Sequence, residues 1–313
     1  MSAFDIKSDF LLIAGPTASG KSSLALDIAK KANGTIINAD SMQVYVDLPV
    51  LTACPSDDDK AVVPHRLYQC LDGETRCSVA LWLKLVREAV AESRSAGRLP
   101  ILVGGTGMYL QAALHGISPI PDVSDAIQAQ TQAELEEMGG ALLKATLKEV
   151  DPILGEKLEA GDSQRLVRAL SVYRQTGRPL SSWQTLSGEG QIAGQAICLA
   201  LLPDRQIVYD NIDNRFEQML LDGGLEEVRA LLARHLAPSL PVMKALGVSA
   251  LQDYLAGNHD LERAIYLAKR DSRHYAKRQM TWLRNNYIPQ ITIEEKYSKR
   301  NLDKIFSEIL KFT

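Results

Sequence analysis

Gly15-Pro16-Thr17-Ala18-Ser19-Gly20-Lys21-Ser22 fits the spacing GxxxxGK[ST], between an apolar run and a helical pattern. Glycines at those positions let backbone N–H groups curl round an anion. The following helix N-terminus adds partial positive charge, Lys21 adds a full one, and Ser22 offers a hydroxyl to Mg²⁺. The chemistry is recognition of two linked phosphates, at the end of a nucleotide or in a bare diphosphate ester. A tight turn without a ligand is the alternative.

Asp40 lies just past a second apolar run, at the carboxyl edge where parallel sheets place ligands, and suits a base or a metal-shell acid. A capping or turn aspartate is the alternative there. Thr106 follows a third run in Val103-Gly104-Gly105-Thr106-Gly107, which ends without the aspartate typical of ATP-hydrolysing phosphate-loop proteins. Arg215 falls on a helix predicted over 204–221, where a second cation would stabilise a departing phosphate, against the alternative of a solvated surface arginine.

Cations also gather in two stretches. Lys269, Arg270, Arg273, Lys277, Arg278 and Arg284 stand against Asp271, with His274, Tyr275 and Trp282 interleaved. Arg165, Arg168, Arg174 and Arg178 form the second stretch. On a mildly acidic chain, two separated basic elements beside a diphosphate site point to a shaped polyanion, RNA, rather than to two solvated helix faces. Met42, Tyr45 and Trp183 offer rings or a thioether for stacking on an extruded base, with core packing as the alternative, and His65 reads as structural.

These groups need a scaffold. Phe10–Ala14, 35–39, 100–103 and 197–202 read as short buried strands, and helices are predicted over 22–33, from a Ser78 N-cap to Gly97, and throughout the chain from Arg205. Strands alternating with helices at this spacing require crossover connections, hence an α/β fold with a phosphate-loop parallel sheet flanked by helices. After Pro119 and Pro121 the texture turns polar and helical. Residues 117–194 therefore read as an inserted helical subdomain, and 1–116 with 195–313 as one catalytic core.

A net charge of −3 argues against non-specific coating of nucleic acid. Cys54, Cys70, Cys77 and Cys198 show neither CxxC nor zinc-knuckle spacing, so no metal finger or disulfide frame is expected. No apolar run near the start approaches the roughly 20 residues needed to cross a bilayer, and the acidic opening is unlike an export signal. A cytoplasmic protein is expected.

In order along the chain, Gly15–Ser22, Asp40-Ser41-Met42-Gln43-Val44-Tyr45, Pro64-His65-Arg66-Leu67, Leu102–Thr106, Gln164-Arg165-Leu166-Val167-Arg168 and Lys277-Arg278-Gln279-Met280-Thr281-Trp282-Leu283-Arg284 resemble the bacterial tRNA dimethylallyltransferase family. The resemblance implies transfer of a dimethylallyl group from dimethylallyl diphosphate to N6 of adenine 37 in tRNA, with Mg²⁺ and without ATP. It carries Asp40 over as the base near N6, and Thr106 and Arg215 as groups around the leaving diphosphate, with the Gly15–Ser22 loop as cradle. It implies tRNA contacts at Asp40 to Gln43, at Gln164 to Arg168, and at Lys277, Arg278 and Arg284. Where relatives often carry a Gly-Tyr pair and a basic residue, this chain reads Lys244-Ala-Leu-Gly247-Val248-Ser249, and the eukaryotic zinc finger has no counterpart. A monomer without an obligate protein partner is expected. The competing readings are a small-molecule or nucleoside kinase and an RNA-binding phosphate-loop module without catalysis.

Overall fold

The computed structural model describes residues 8–312 of the chain. The first residues, part of the opening read above as unlike an export signal, lie outside the described residues.

The chain runs β1 Phe10–Ala14, α1 Lys21–Lys31, β2 Gly34–Asn38, α2 Asp57–Val62, β3 His65–Arg66, α3 Val79–Ser95, β4 Leu99–Gly104 and α4 Gly107–His115. Then come α5 Asp125–Val150, α6 Pro152–Lys157, α7 Ser163–Thr176 and α8 Leu180–Gln184. The sheet resumes at β5 Ala196–Leu201, followed by α9 Arg205–Leu221, α10 Gly224–Ala233, α11 Val248–Leu255, α12 Leu261–Asn286, β6 Ile291–Ile293 and α13 Leu302–Leu310.

All six strands pair in parallel, in the order β3-β2-β4-β1-β5-β6. β1 is central and buried on every residue, which is why its sequence is apolar without alternation. On one face, Leu11 and Ile13 pack with Leu24 and Ile28 of α1 and Ile305, Phe306 and Ile309 of α13. Elsewhere in the unit, Trp82 of α3 is fully buried, stacks on Tyr109 at 4.2 Å and donates Nε1–H to the Asn38 carbonyl at 3.0 Å. Removing such a ring typically costs about 3–5 kcal/mol. Parallel strands put the loops after β1, β2 and β4 on one edge, and those loops carry Gly15–Ser22, Asp40 and Thr106.

The reading of the chain beyond Arg205 as wholly helical needs correction. Ile291–Ile293 forms β6, pairing with β5 at Leu199, Ala200 and Leu201, a strand too short to show its own periodicity. The stretch around Asp57 also contains a helix, α2, closed by a reciprocal capping box between Ser56 and Asp59.

The chain divides into two compact units. One comprises the residues up to Leu114 and from Ile192 onward; the other is His115–Gln191, against the expected 117–194. The second unit has its own core, with Leu143 and Leu147 of α5 against Leu166, Leu170 and Val172 of α7. α5 is interrupted at Gly139, whose φ of 78° no ordinary helical residue adopts. Among the described residues no helix is long and apolar enough to cross a membrane.

Candidate active site

β1 delivers the chain into the phosphate loop at Gly15, where a Cβ would lie 2.6 Å from Ser19 Oγ and 3.0 Å from the Leu201 carbonyl oxygen. No other residue fits that turn unchanged. Gly20 then adopts φ 93° as the N-cap of α1, and Ala18 is held at φ 61°. A non-glycine residue in the left-handed region costs on the order of 1 kcal/mol, so surrounding contacts must hold it. One is visible: Asn211 of α9 donates Nδ2–H to the Ala18 carbonyl at 3.0 Å. Pro16 and Ser19 are buried, and Ser19 N–H donates to the Pro16 carbonyl at 3.3 Å. Ser19 Oγ is buried without a hydrogen-bond partner, an orphaned hydroxyl inside the loop.

Lys21 opens α1 and donates Nζ–H to the Pro16 carbonyl at 3.2 Å. Burial pushes its ammonium down from the usual 10.5 to about 8; Asp40 opposes the fall and Arg215 adds to it. Burial also lowers Arg215, again opposed by Asp40. Two desolvated cations and one carboxylate therefore share one electrostatic neighbourhood. Arg215 donates Nη2–H to Thr17 Oγ1, and Thr17 N–H donates to Gln279 Oε1 of α12 at 2.8 Å. Ser22 is exposed at the start of the same helix.

Asp40 follows β2 by two residues and is fixed by its neighbours. Its N–H donates to Asn38 Oδ1 at 2.8 Å, and its Oδ1 accepts Met42 N–H at 2.9 Å. Asn38 is fully buried and also donates Nδ2–H to the Asp40 and Leu67 carbonyls, at 2.9 and 3.0 Å. Ser41 N–H donates to Thr106 Oγ1 at 3.0 Å, joining the loops after β2 and β4. These loops touch because Gly104 has no side chain: a Cβ there would lie 2.0 Å from the Ala39 carbonyl oxygen. Tyr275 hydrogen-bonds to Thr106, and its hydroxyl is pushed up by burial first and by Asp40 second.

Thr17, Asp40 and Arg215 line a cavity of about 280 Å³ whose apolar wall is Leu51, Ile212, Phe216, Met219 and Leu246. Ser41, Met42, Lys244 and Arg278 also line it. A carboxylate of α10 holds part of that wall, Glu227 accepting Val50 N–H at 2.7 Å and Leu51 N–H at 2.9 Å. The divergent 244–249 segment contributes Lys244 and Leu246 to the cavity and turns at Gly247 with φ 89°.

Several residues singled out from sequence are placed differently. Gln43 donates both amide hydrogens to the Thr52 and Ala53 carbonyls at 2.9 Å, which removes its donors from direct RNA contact. Leu166 and Val167 are buried on the core side of α7, while Gln164, Arg165 and Arg168 are exposed. Helical spacing separates them, so the five-residue motif is not one contact surface. Arg174 is committed to Glu134 at 3.0 and 2.6 Å and to Thr131 Oγ1 at 2.9 Å, and Arg178 lies 4.5 Å over the Trp183 ring. Tyr45 is buried, its hydroxyl donating to the Thr75 carbonyl at 3.1 Å. His65 Nδ1 meets the Val63 carbonyl at 2.7 Å, as a structural histidine would.

The long basic stretch shrinks too. α9 supplies acids that the linear reading left out: Glu217 pairs with Lys269 at 2.5 Å and Asp213 with Arg273 at 2.7 Å, while Arg270 pairs with Asp271 at 2.8 Å. His274, Lys277, Arg278 and Arg284 are exposed on α12. The sequence assigns no role to Asn38, Asn211 or Glu227, and none to Gln279 beyond its place in the Lys277–Arg284 motif. Only Gln279 carried a signal, as a polar residue among Ala276, Met280 and Leu283 on the apolar face of α12.

Known proteins match most of the chain. The model of the IPP transferase family matches residues 43–286, and that of the isopentenyl transferases matches 8–74. A protein of Paramagnetospirillum magneticum named tRNA dimethylallyltransferase is 45% identical over 96% of this chain and 95% of its own. The crystal structure of a full-length tRNA isopentenylpyrophosphate transferase from Bacillus halodurans is 30% identical, with a TM-score of 0.67 over 97% of this chain and 98% of that one. A eukaryotic dimethylallyltransferase captured acting on tRNA is 25% identical, with a TM-score of 0.79 over 93% of this chain and 75% of that one. A family model spanning most of the sequence, and relatives aligning nearly end to end, lead to one conclusion: this chain belongs to the IPP transferase family.

Proposed function

We propose that the chain transfers the dimethylallyl group of dimethylallyl diphosphate to the N6 amine of adenine 37 in tRNA and releases diphosphate. The observation that carries this reading is that Arg215 and Asp40 line one cavity with an apolar wall while the buried ammonium of Lys21 shares their electrostatic neighbourhood. Adenine N6 is a weak nucleophile, so its attack needs a stabilised leaving group and removal of a proton. The bond between the allylic carbon and the diphosphate oxygen breaks as the N6–carbon bond forms. Lys21, Arg215 and loop N–H groups take up the charge on the departing oxygens, with Thr106 beside them. Asp40, oriented by Asn38 and Met42 N–H, accepts the N6 proton. The adenine must leave its stack to arrive there, at a cost of a few kcal/mol.

Oxygen donors suit Mg²⁺, and no cluster of three His, Cys, Asp or Glu side chains among the described residues could cage an ion alone. That fits an ion held largely by phosphate oxygens and water, with Ser22 Oγ as the protein ligand. Bound there, Mg²⁺ would supply further neutralisation of the diphosphate.

Gln164, Arg165, Arg168, Lys277, Arg278 and Arg284 present exposed groups for the anticodon arm, the first three from the helical unit. The protein acts as a cytoplasmic monomer on this reading. The kinase reading shares the loop, but β4 ends at Gly104 and is followed by Gly105-Thr106, without the aspartate of ATP-hydrolysing relatives of the loop. Mass spectrometry of tRNA incubated with dimethylallyl diphosphate and Mg²⁺ tests the proposal. The expected product is one five-carbon unit heavier. Unchanged tRNA, or consumption of ATP in its place, overturns it.

A further inference from the structure

α12 has two working faces. Outward it exposes Lys277 and Arg284, while Arg278, also exposed, borders the cavity. Inward, Gln279 is 5% exposed and its amide joins two loops: Oε1 accepts Thr17 N–H at 2.8 Å, and Nε2 donates to the Gly105 carbonyl at 3.0 Å. Both ends of the amide are therefore used, and its orientation follows from them. The packing is tight, since a Cβ on Gly105 would fall 2.3 Å from Nε2. Trp282, on the next turn, presses on Gly107 in the same way, a Cβ there lying 2.5 Å from the ring.

Thr17 is the loop residue whose hydroxyl meets Arg215, and Gly105 precedes Thr106. One buried amide thus fixes, from a helix far along the chain, the two backbone segments that frame the leaving group. Any force that holds α12 in place also holds Thr17 N–H in its curled position. A polyanion seated on the outer face of α12 is such a force. Buried amide bonds of this kind are rigid, because an unmatched donor or acceptor here would lose about 1–3 kcal/mol.

We infer that Gln279 is a positioning residue that couples occupancy of the outer face of α12 by RNA to the shape of the diphosphate loop, so that each substrate strengthens binding of the other. The inference rests on the prenyl-transfer reading above. By linkage the strengthening is reciprocal and can be measured from either side.

The test measures the affinity of unmodified tRNA with and without saturating inorganic pyrophosphate and Mg²⁺, for the full-length wild type, Gln279→Met and Gln279→Glu. Methionine keeps the shape and removes both bonds. Glutamate keeps the acceptor for Thr17 N–H and loses the donor to Gly105. The wild type is expected to bind tRNA at least about fivefold more tightly with pyrophosphate present, within the usual range of coupling between sites. Gln279→Met should reduce that factor below about twofold while leaving tRNA affinity alone unchanged, and should lower kcat more than it raises KM for tRNA. Gln279→Glu should retain most of the coupling.

Coupling of wild-type size in Gln279→Met, or none in the wild type, overturns the inference. If Gln279→Met fails to fold, as judged by its melting curve, loss of coupling in Gln279→Glu overturns it instead, because that variant preserves the bond held responsible. Product formation by the wild type is followed in the same samples. Absence of prenyl transfer there removes the functional reading, whereas transfer with undisturbed coupling in Gln279→Met removes this inference alone.

Discussion

Raising the pH should switch off the diphosphate site through Lys21. Burial holds its ammonium near 8 against an ordinary 10.5, with Asp40 working against the fall and Arg215 with it. A lowered folded-state value means that the folded chain holds this proton less tightly than the unfolded chain does. The charge therefore costs stability below about pH 8, and the cost fades as pH rises from about 8 towards 10.5. Binding runs the other way, because the cation is what grips phosphate. With half-titration near 8, about nine-tenths of Lys21 is charged at pH 7 and about one-tenth at pH 9. The kcat/KM for dimethylallyl diphosphate, measured at saturating tRNA, should fall about tenfold over that interval. kcat should fall less, since the bound anion favours the protonated amine. Lys21→Arg keeps a cation at every pH in the range, so its residual activity should lack this limb. Lys21→Met should lose most activity yet melt higher at pH 7, with an upper limit of about 3 kcal/mol that solvent screening at the loop reduces. A kcat/KM that stays level to pH 9.5, or the same limb in Lys21→Arg, would refute the reasoning.

Other substitutions separate the roles assigned above. Asp40→Ala should lower single-turnover transfer by about 10²–10⁴ with tRNA affinity nearly intact by filter binding; unchanged turnover would remove Asp40 from the chemistry. Arg168→Ala should weaken tRNA binding and flatten its salt dependence by about one phosphate contact, whereas Arg174→Ala, already paired with Glu134, should leave affinity within about twofold and lower the melting temperature. Glu227→Ala strips two acceptors from the Val50 and Leu51 N–H groups, so it should destabilise the chain by about 1–3 kcal/mol and raise KM, with Glu227→Gln in between.

What the sequence reveals here depends on how local each cause is. The phosphate loop is legible because its spacing is dictated by one turn and one helix start, and Lys21 is the first residue of α1, as that geometry demands. Asp40 is legible from its place past an apolar run, and the strand limits come within a residue or so. Gln279, Asn38 and Glu227 act on backbone elsewhere in the chain, and nothing near them in sequence marks the target. Counting cations fails for a related reason: Glu134, Asp213 and Glu217 reach Arg174, Arg273 and Lys269 only after helices have packed. Leu166 and Val167 are a different lesson, since helical periodicity alone separates them from Arg165 and Arg168 once a motif is treated as a helix rather than a string.

The central place of β1 also shapes how the protein is made. Its partner on one side, β4, ends at Gly104, but its partner on the other, β5, begins only at Ala196, after the whole of His115–Gln191. As the chain leaves the ribosome, one edge of an entirely apolar strand stays bare while the helical unit is synthesised. The antiparallel bridge between Ile117 and Glu189 draws the ends of that unit together, which shortens the loop that β5 must close to reach its seat. Nascent chains halted before Ala196 should therefore demand chaperone protection that slightly longer ones do not.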